Sequence, residues 1–131
     1  MRFLLDTNAW IWLFSEPQLI REDVRHVLNQ ESVIGLSPLS LIEVAQKAAK
    51  GKLIFRVALD DWVLSALPPQ RLHLLPLTPA IAIRAYNWPG EFHGDPADRI
   101  IAATAAVHGL TLVTSDEKLR LRGDIQTLST R

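Results

Sequence analysis

The chain has no cysteine among its 131 residues, so neither a disulfide framework nor a thiolate metal site is possible. It has no uninterrupted apolar run approaching the roughly 18 residues that a membrane-spanning helix needs. Its first residues, MRFLLD, lack the basic-then-apolar pattern of a signal peptide. Together these absences predict a soluble cytoplasmic protein that does not enter a membrane, and the missing cysteines agree with a reducing compartment.

An excess of either charge is also missing, because 14 basic residues balance 14 acidic ones. Proteins that bind nucleic acid usually carry a basic excess, since phosphate contacts supply most of their non-specific affinity. Basic residues gather only locally: Lys47, Lys50, Lys52 and Arg56, and then Lys118, Arg120 and Arg122. Both groups have the ordinary interpretation of solvated surface. A nucleic-acid substrate would therefore have to be recognised by local charge, a bound metal or a groove between two subunits.

What the chain does have is a hydrophobic fraction of 48%, enough for one well-buried core, and we predict a single domain over residues 1–131. Strand patterns alternate with helical ones. Strands are predicted at 3–5, 33–36, 72–77, 110–113 and 125–128, and helices at 10–14, 19–28, 37–51, 59–67, from 78 to before 89, and 97–107. Strands separated by helices predict an α/β fold, a three-layer α/β/α sandwich with a parallel central sheet.

Four acidic residues are predicted to converge on one edge of this sheet. Asp6 and Asp116 follow predicted strands, whereas Glu43 and Asp98 lie in the first two turns of helices that begin on the same side. Ligands of such folds collect outside the carboxyl ends of the strands. The topology alone therefore directs four carboxylates to one place.

Converging carboxylates repel one another. Two unit charges about 5 Å apart repel by roughly 3 kcal/mol at an effective dielectric constant near 20. Either a cation offsets this repulsion or some of the groups are protonated at neutral pH. Because Mg²⁺ and Mn²⁺ prefer oxygen ligands, the pattern predicts a divalent-cation site.

Each acid also has a structural interpretation. Asp6 and Asp116 have the positions of helix caps, and Glu43 has that of a solvated residue beside an apolar helix face. These interpretations do not explain why all the acids fall on one side of the sheet. Asp95 stands three residues before Asp98, which is the place of an N-cap residue, and a supporting role near the metal is its alternative.

Three further polar residues are candidates for a supporting layer around the cation. The Asn8 amide would orient a ligand, the Ser115 hydroxyl would bind a metal water, and Arg99 would contact phosphate or pair with a carboxylate. Ordinary turn and capping roles suit the first two equally well. His93 lies in a loop rich in glycine and proline, where solvated surface is its usual role.

Four segments then make a family resemblance visible: LLDTNA at 4–9, SLIEVA at 40–45 followed by GKL at 51–53, HGDPADR at 93–99 and LVTSD at 112–116. In this order and spacing the chain resembles the PIN-domain ribonucleases, in particular the VapC-like toxins of type II toxin–antitoxin pairs. Two positions depart from the pattern. Asn8 stands where close relatives often carry His or Ser, and Ala97 stands where an aromatic residue is common.

The resemblance implies that Asp6, Glu43, Asp98 and Asp116 bind Mg²⁺ or Mn²⁺, with Asp95 as a fifth candidate ligand. It implies metal-assisted hydrolysis of RNA phosphodiester bonds, with one or two ions and with either Asp98 or Asp116 orienting or deprotonating the attacking water.

It also implies partners. We expect a homodimer and a cognate antitoxin protein that covers apolar surface near Trp10 and Trp12.

Other protein classes remain alternatives. A haloacid-dehalogenase-like phosphotransferase needs a second Asp two residues after the first, where this chain has Asn8. A receiver domain needs a lysine after a late strand, where this chain has Thr-Ser-Asp. A non-catalytic binding protein on the same fold is the alternative from a different functional class, and the intact set of acids argues against it.

Overall fold

A computed structural model of the chain describes residues 1–92 and 94–131, so His93 lies outside the described residues. The strands are β1 Phe3–Leu5, β2 Ile34–Leu36, β3 Leu72–Leu74, β4 Thr111–Val113 and β5 Thr127–Leu128. The helices are α1 Thr7–Ser15, α2 Glu22–Gln30, α3 Pro38–Ala49, α4 Leu59–Ser65, α5 Pro79–Ala85, α6 Pro96–His108 and α7 Glu117–Arg120, with a short 3₁₀ turn at Pro17–Leu19.

The five strands form one parallel sheet in the order β3-β2-β1-β4-β5. At its centre Leu4 pairs with Gly35 on one side and with Leu112 on the other. The chain fills one half of the sheet before the other, so the direction of strand order changes between β1 and β4. A parallel sheet of this kind binds ligands at such a switch point. The predicted three-layer α/β/α architecture is confirmed.

Alternate residues of β1 enter two separate cores, because neighbouring side chains of a strand point to opposite faces. Leu5 packs with Trp10 of α1, Leu28 of α2 and Trp62 of α4. Leu4 packs on the other face, with residues of α5, α6 and α7 among its neighbours. Helices therefore cover both faces of the sheet and leave its edges for loops.

Trp10 belongs to the core and does not itself contribute to the apolar surface that is expected near it. Its side chain is fully buried, and its indole Nε1–H donates to the Ala66 carbonyl at 2.7 Å. The ring centroid lies 4.9 Å from that of Trp62. Trp10 is thus a core residue and cannot be part of a partner surface, whereas Trp12 is only partly buried.

Several elements begin or end one to three residues away from the predicted bounds, and two of these differences have a local backbone cause. The helix predicted at 19–28 starts at Glu22, because Ile20 has an extended backbone with φ −101° and ψ 132°. The strand predicted at 72–77 ends at Leu74, two residues before Pro76. Proline has no N–H for the ladder, so the strand cannot continue through it.

The helix before β4 follows its sequence signals closely. α6 begins with Pro96 at its first position and ends at Gly109, whose φ of 65° is the left-handed conformation that a glycine C-cap supplies. None of the described helices is long and apolar enough to cross a membrane.

Candidate metal centre

Asp6 stands at the switch point of the sheet, directly after β1. Its backbone N–H donates to the Val113 carbonyl at 3.0 Å, which ties the residue to the end of β4. Its carboxylate caps α1 by accepting the Ala9 N–H at Oδ1 over 2.7 Å. Asp6 is therefore a helix cap, as its position in the sequence suggested, and it also lies beside the other acids.

Glu43 reaches the same region from the second turn of α3. Its Oε1 lies 2.5 Å from the hydroxyl of Thr7, which is also hydrogen-bonded to Ser40 Oγ over 3.0 Å. Both hydroxyls are buried. An ionised carboxylate only accepts hydrogen bonds, so Thr7 donates its single proton to Glu43 and Ser40 donates to Thr7. These two hydrogen bonds hold the Glu43 carboxylate in place and leave its other oxygen available to the cavity.

Asp116 follows β4 and caps α7, accepting the Lys118 N–H at Oδ1 over 2.9 Å. Its own N–H donates to Thr114 Oγ1 at 3.0 Å. The same Thr114 hydroxyl is fully buried and is hydrogen-bonded to the Asp6 carboxylate. Thr114 thus links two of the acids. Sequence reasoning missed this role, although a hydroxyl residue directly after a buried strand is a usable signal.

Asp98 and Asp95 cap α6 reciprocally. Asp95 Oδ1 accepts the Asp98 N–H at 2.8 Å, and the Asp98 carboxylate accepts a hydrogen bond from the Asp95 backbone. This is the arrangement of a capping box, with Asp in place of the usual Glu. Asp95 is exposed, and its capping role is the one that the structure contains.

One cavity of about 180 Å³ brings Asp6, Glu43, Asp98 and Asp116 together. Its other lining residues are Thr7, Asn8, Lys47, Ile101, Ser115 and Leu119. The structure therefore gathers the four acids with two of the three predicted supporting residues, Asn8 and Ser115. Asp95 and Arg99 are not among the lining residues.

Arg99 is used elsewhere in the protein. Its guanidinium donates to the Ala85 carbonyl at 3.5 Å and to the Phe92 carbonyl at 3.1 Å. It also lies 5.2 Å from the ring centroids of Tyr86 and Phe92. These contacts hold the loop before α6 and direct Arg99 away from the carboxylates.

Two of the four acids, Asp6 and Asp98, have a raised pKa in this cavity. Burial, above all, raises the pKa of Asp6 to about 6, with the Glu43 and Asp116 charges adding to the effect and hydrogen bonds from Thr114 and Ala9 opposing it. Burial also raises the pKa of Asp98 to about 6, followed by repulsion from Asp95 and Glu43. Both carboxylates are therefore driven toward the protonated form unless a cation enters the cavity.

A hydrated divalent cation fits this donor set. Within residues 1–92 and 94–131, no three Asp, Glu or His side chains form a ready cage that would hold a metal ion directly. Mg²⁺ does not require such a cage, because it keeps several waters and is usually bound through one or two carboxylates. One oxygen each of Asp6, Glu43 and Asp116 is already oriented by a protein donor, which pre-organises the carboxylates around the cavity.

Comparison with known proteins assigns the family. The PIN domain matches residues 3–124, which is almost the whole chain. The chain belongs to the PIN domain family. It is 31% identical over 117 residues to Ribonuclease VapC22 of Mycobacterium tuberculosis (strain ATCC 25618 / H37Rv), covering 89% of this chain and 88% of the relative.

Solved structures agree with the PIN fold. DNA-bound VapBC from Salmonella typhimurium matches with a TM-score of 0.71 at 22% identity, covering 100% of this chain and 99% of the other. VapBC2 from Rickettsia felis, bound to a promoter DNA fragment, matches with a TM-score of 0.67 at 16% identity and 100% coverage of both chains. At these identities the likeness establishes the fold alone.

Proposed function

We propose that this PIN domain is a Mg²⁺- or Mn²⁺-dependent endoribonuclease and the toxin component of a toxin–antitoxin pair. The observation that carries the proposal is the gathering of Asp6, Glu43, Asp98 and Asp116 around one cavity at the switch point of the sheet. RNA as the substrate is supported by the relative named as a ribonuclease. The chemistry is hydrolysis of a phosphodiester bond.

Most of the cavity residues would bind the cation or its waters, and one acid would accept a proton from the attacking water. Asp6, Glu43 and Asp116 would hold the cation, because protein donors already orient one oxygen of each carboxylate. A bound divalent cation supplies charge that stabilises the developing negative charge on the phosphate. Asn8 and Ser115, on the cavity wall, would orient water around it.

Asp98 is the better of the two candidates for accepting a proton from the attacking water. With its pKa raised to about 6, it is mostly ionised at neutral pH and still a stronger base than an ordinary carboxylate. The Asp116 carboxylate is held by the Lys118 N–H. A proton moved to Asp98 would pass from there to the departing oxygen or to solvent.

The test of this function uses total RNA. Purified protein is incubated with it in Mn²⁺ or in EDTA, and the new RNA ends are sequenced. Defined new ends that appear only with Mn²⁺ support the proposal and identify the cleaved sequence. A protein that generates no new ends in any divalent cation would remove the basis for calling it a ribonuclease.

A groove beside the C-terminal half of α1 is where we place the antitoxin. It has a volume of about 650 Å³, and its lining combines apolar side chains with polar ones. The apolar residues include Ile11, Phe14, Leu53, Ile54, Phe55 and Trp62, and the polar ones are Ser15, Glu16, Gln18 and Arg56. Ile54 is 86% exposed, so this side chain has no cover within the subunit. A solved structure of the same fold is named as a toxin–antitoxin complex, which supports a protein partner of this kind.

Co-purification tests the groove. The protein is co-expressed with the product of the adjacent reading frame, and the Ile54→Asp variant is compared with the wild type. We expect the variant to lose the partner while keeping RNA cleavage, because Ile54 is far too exposed to support the core. Retention of the partner by the variant would place the interface elsewhere.

A homodimer is the second assembly that we propose. Exposed apolar side chains, Leu77, Ile83 and Tyr86, lie in and beside α5, and Ile83 is 68% exposed. The net charge of zero adds a reason, since a groove between two subunits would concentrate the few basic residues on RNA. Sedimentation at micromolar concentration tests it: the wild type should be a dimer and Ile83→Glu a monomer, whereas a monomeric wild type would contradict it.

A further inference from the structure

Lys47 lies in the same cavity as the four acids. It is in the last turn of α3, four residues after Glu43, so the two side chains share a face of the helix. It is partly buried, and it is the one basic side chain among the residues that line the described part of the cavity. Its position beside the carboxylates is therefore fixed by the helix and not by a mobile loop.

The Lys47 ammonium keeps its donors free. Among the described residues, the ion pairs within 4.0 Å are Arg2 with Glu31, Arg21 with Asp23, and Arg122 with Asp124. Lys47 forms none with Glu43 or with any other cavity acid, although it shares their cavity. By contrast, Arg99 uses its guanidinium on backbone carbonyls. Lys47 is thus a cation inside an acidic cavity without an assigned protein partner.

An RNA phosphate needs such a group. Four carboxylates repel a phosphodiester, and one divalent cation offsets only two of their four charges. The ammonium of lysine acts as a compact point charge with three donors and is a common ligand of phosphate oxygens. Placed in the cavity wall, it attracts the substrate where the acids alone would reject it.

We propose that Lys47 binds a non-bridging oxygen of the RNA phosphate that enters the acid-lined cavity, and so acts as a catalytic residue for that substrate. The proposal rests on the proposed ribonuclease function. The competing explanation is structural, with Lys47 serving only to hold Glu43 through their four-residue spacing. The two explanations predict opposite effects on cation binding.

Binding of a fluorescein-labelled single-stranded RNA, measured by anisotropy with Ca²⁺ in place of Mg²⁺, is the first arm of the test. We expect Lys47→Met to bind about tenfold more weakly. The slope of log affinity against log salt should fall by about 0.7, the value for one phosphate contact to a single strand. Lys47→Arg should keep most of the affinity. Lys50→Met, an exposed change at the end of the same helix, is the matched control and should change affinity by less than about threefold.

Stabilisation by Mn²⁺ is the second arm and does not depend on activity. Removing a positive charge from the cavity should leave the Mn²⁺-induced rise in melting temperature unchanged or larger in Lys47→Met. In Mg²⁺, kcat/KM of this variant should fall about 10- to 100-fold. Lys47→Gln serves as a second neutral variant if the methionine variant does not fold.

Either of two results overturns the proposal. The first is that the neutral variants bind RNA with the affinity and salt slope of the wild type. The second is that they lose the Mn²⁺-induced rise in melting temperature, which would mean that Lys47 only holds Glu43. If the wild type cleaves no RNA, the proposed function fails. The salt slope then still decides whether Lys47 contacts a phosphate, so the two failures are distinguishable.

Discussion

The hydroxyl of Thr7 lies 2.5 Å from Glu43 Oε1 and joins the first turn of α1 to α3. Thr7 follows Asp6 directly, so the backbone that positions one acid also positions the donor for another. With Ser40 behind it, Thr7 completes a buried chain of two hydroxyls and one carboxylate. Buried polar chains of this kind specify one arrangement when every member has a partner.

Replacing Thr7 with Val should therefore disturb both stability and cation binding. The change removes the donor to Glu43 and leaves the buried Ser40 hydroxyl without an acceptor, which costs about 1–3 kcal/mol. We expect a melting temperature several degrees lower and weaker Mn²⁺ stabilisation. Thr7→Ser keeps the hydroxyl and is the control. Thermal melting measures both effects. If Mn²⁺ raises the melting temperature of wild type and Thr7→Val equally, the hydrogen bonds from Ser40 through Thr7 do not position Glu43 for the cation.

The convergence of the acids was predictable, whereas the groups that orient them were not. Asp6 and Asp116 follow strands, and the parallel order of those strands dictates a shared edge. The Thr7–Ser40–Glu43 chain depends on how α3 packs beside α1, which is a tertiary contact without a local sequence pattern. The position of Asp98 in the first turn of a helix was predictable as well, whereas its reciprocal bond with Asp95 became visible only in the structure.

Arg99 illustrates the opposite case. Its place next to Asp98 in the sequence suggested a role at the carboxylates, but neighbouring residues of a helix point about 100° apart. Its guanidinium instead reaches carbonyls at residues 85 and 92. The shorter β3 has a local cause, since Pro76 marks its limit in the sequence itself.

Asp98→Asn should raise the melting temperature of the metal-free protein at neutral pH. The raised pKa means that the folded protein disfavours the charged form, and Asn keeps an oxygen to accept the Asp95 N–H. Mg²⁺ should stabilise the wild type by mass action and this variant less, because the negative charge of Asp98 faces the same cavity as the three carboxylates that would hold the cation. Melting curves in EDTA and in saturating Mg²⁺ measure both effects.

Asp95→Ala is the matched control for that experiment. Loss of the helix cap should lower stability by about 1 kcal/mol with or without metal, leaving the Mg²⁺ increment unchanged. If Asp98→Asn instead melts lower in EDTA and gains as much from Mg²⁺ as the wild type, Asp98 serves the helix only.

Stability should depend on pH in a direction set by Asp6. Its pKa is about 6 in the folded protein against 3.8 as the reference, so its protonation stabilises the fold fully below pH 3.8, and this contribution disappears as the pH rises through 6. At about 1.4 kcal/mol per pKa unit, the change amounts to about 3 kcal/mol. In EDTA, the free energy of unfolding of wild type minus that of Asp6→Asn should decline between pH 4 and 6 and level off above.

Protons compete with the cation for the same carboxylates, so Mn²⁺ affinity should rise over that pH interval. Urea unfolding at fixed pH values measures the first effect, and Mn²⁺ titration the second. If the difference in free energy of unfolding between wild type and Asp6→Asn stays constant from pH 4 to 8, the fold does not raise the pKa of Asp6.

Gly94 offers a test of how closely the loop before α6 is packed against the site. A Cβ at this position would lie 2.8 Å from Phe92 Cε1 and 2.9 Å from the Asp98 Cβ, so Gly94→Ala must displace one of them. We expect overpacking to cost about 1–3 kcal/mol and displacement of Asp98 to lower kcat/KM about tenfold or more. Gly123→Ala, where a Cβ meets nothing within 4 Å, is the control and should be neutral. Equal activity of the two variants would mean that the loop yields without moving Asp98.

Cleavage of a defined RNA as a function of Mn²⁺ concentration tests the central claim, that the four acids form a cation-dependent ribonuclease site. The wild type should cleave with saturable dependence on Mn²⁺ and not in EDTA. Asp6→Asn and Asp98→Asn, both isosteric, should lose at least about 100-fold in rate while staying folded by circular dichroism. Wild-type rates in either variant, or cleavage that persists in EDTA, would contradict the account.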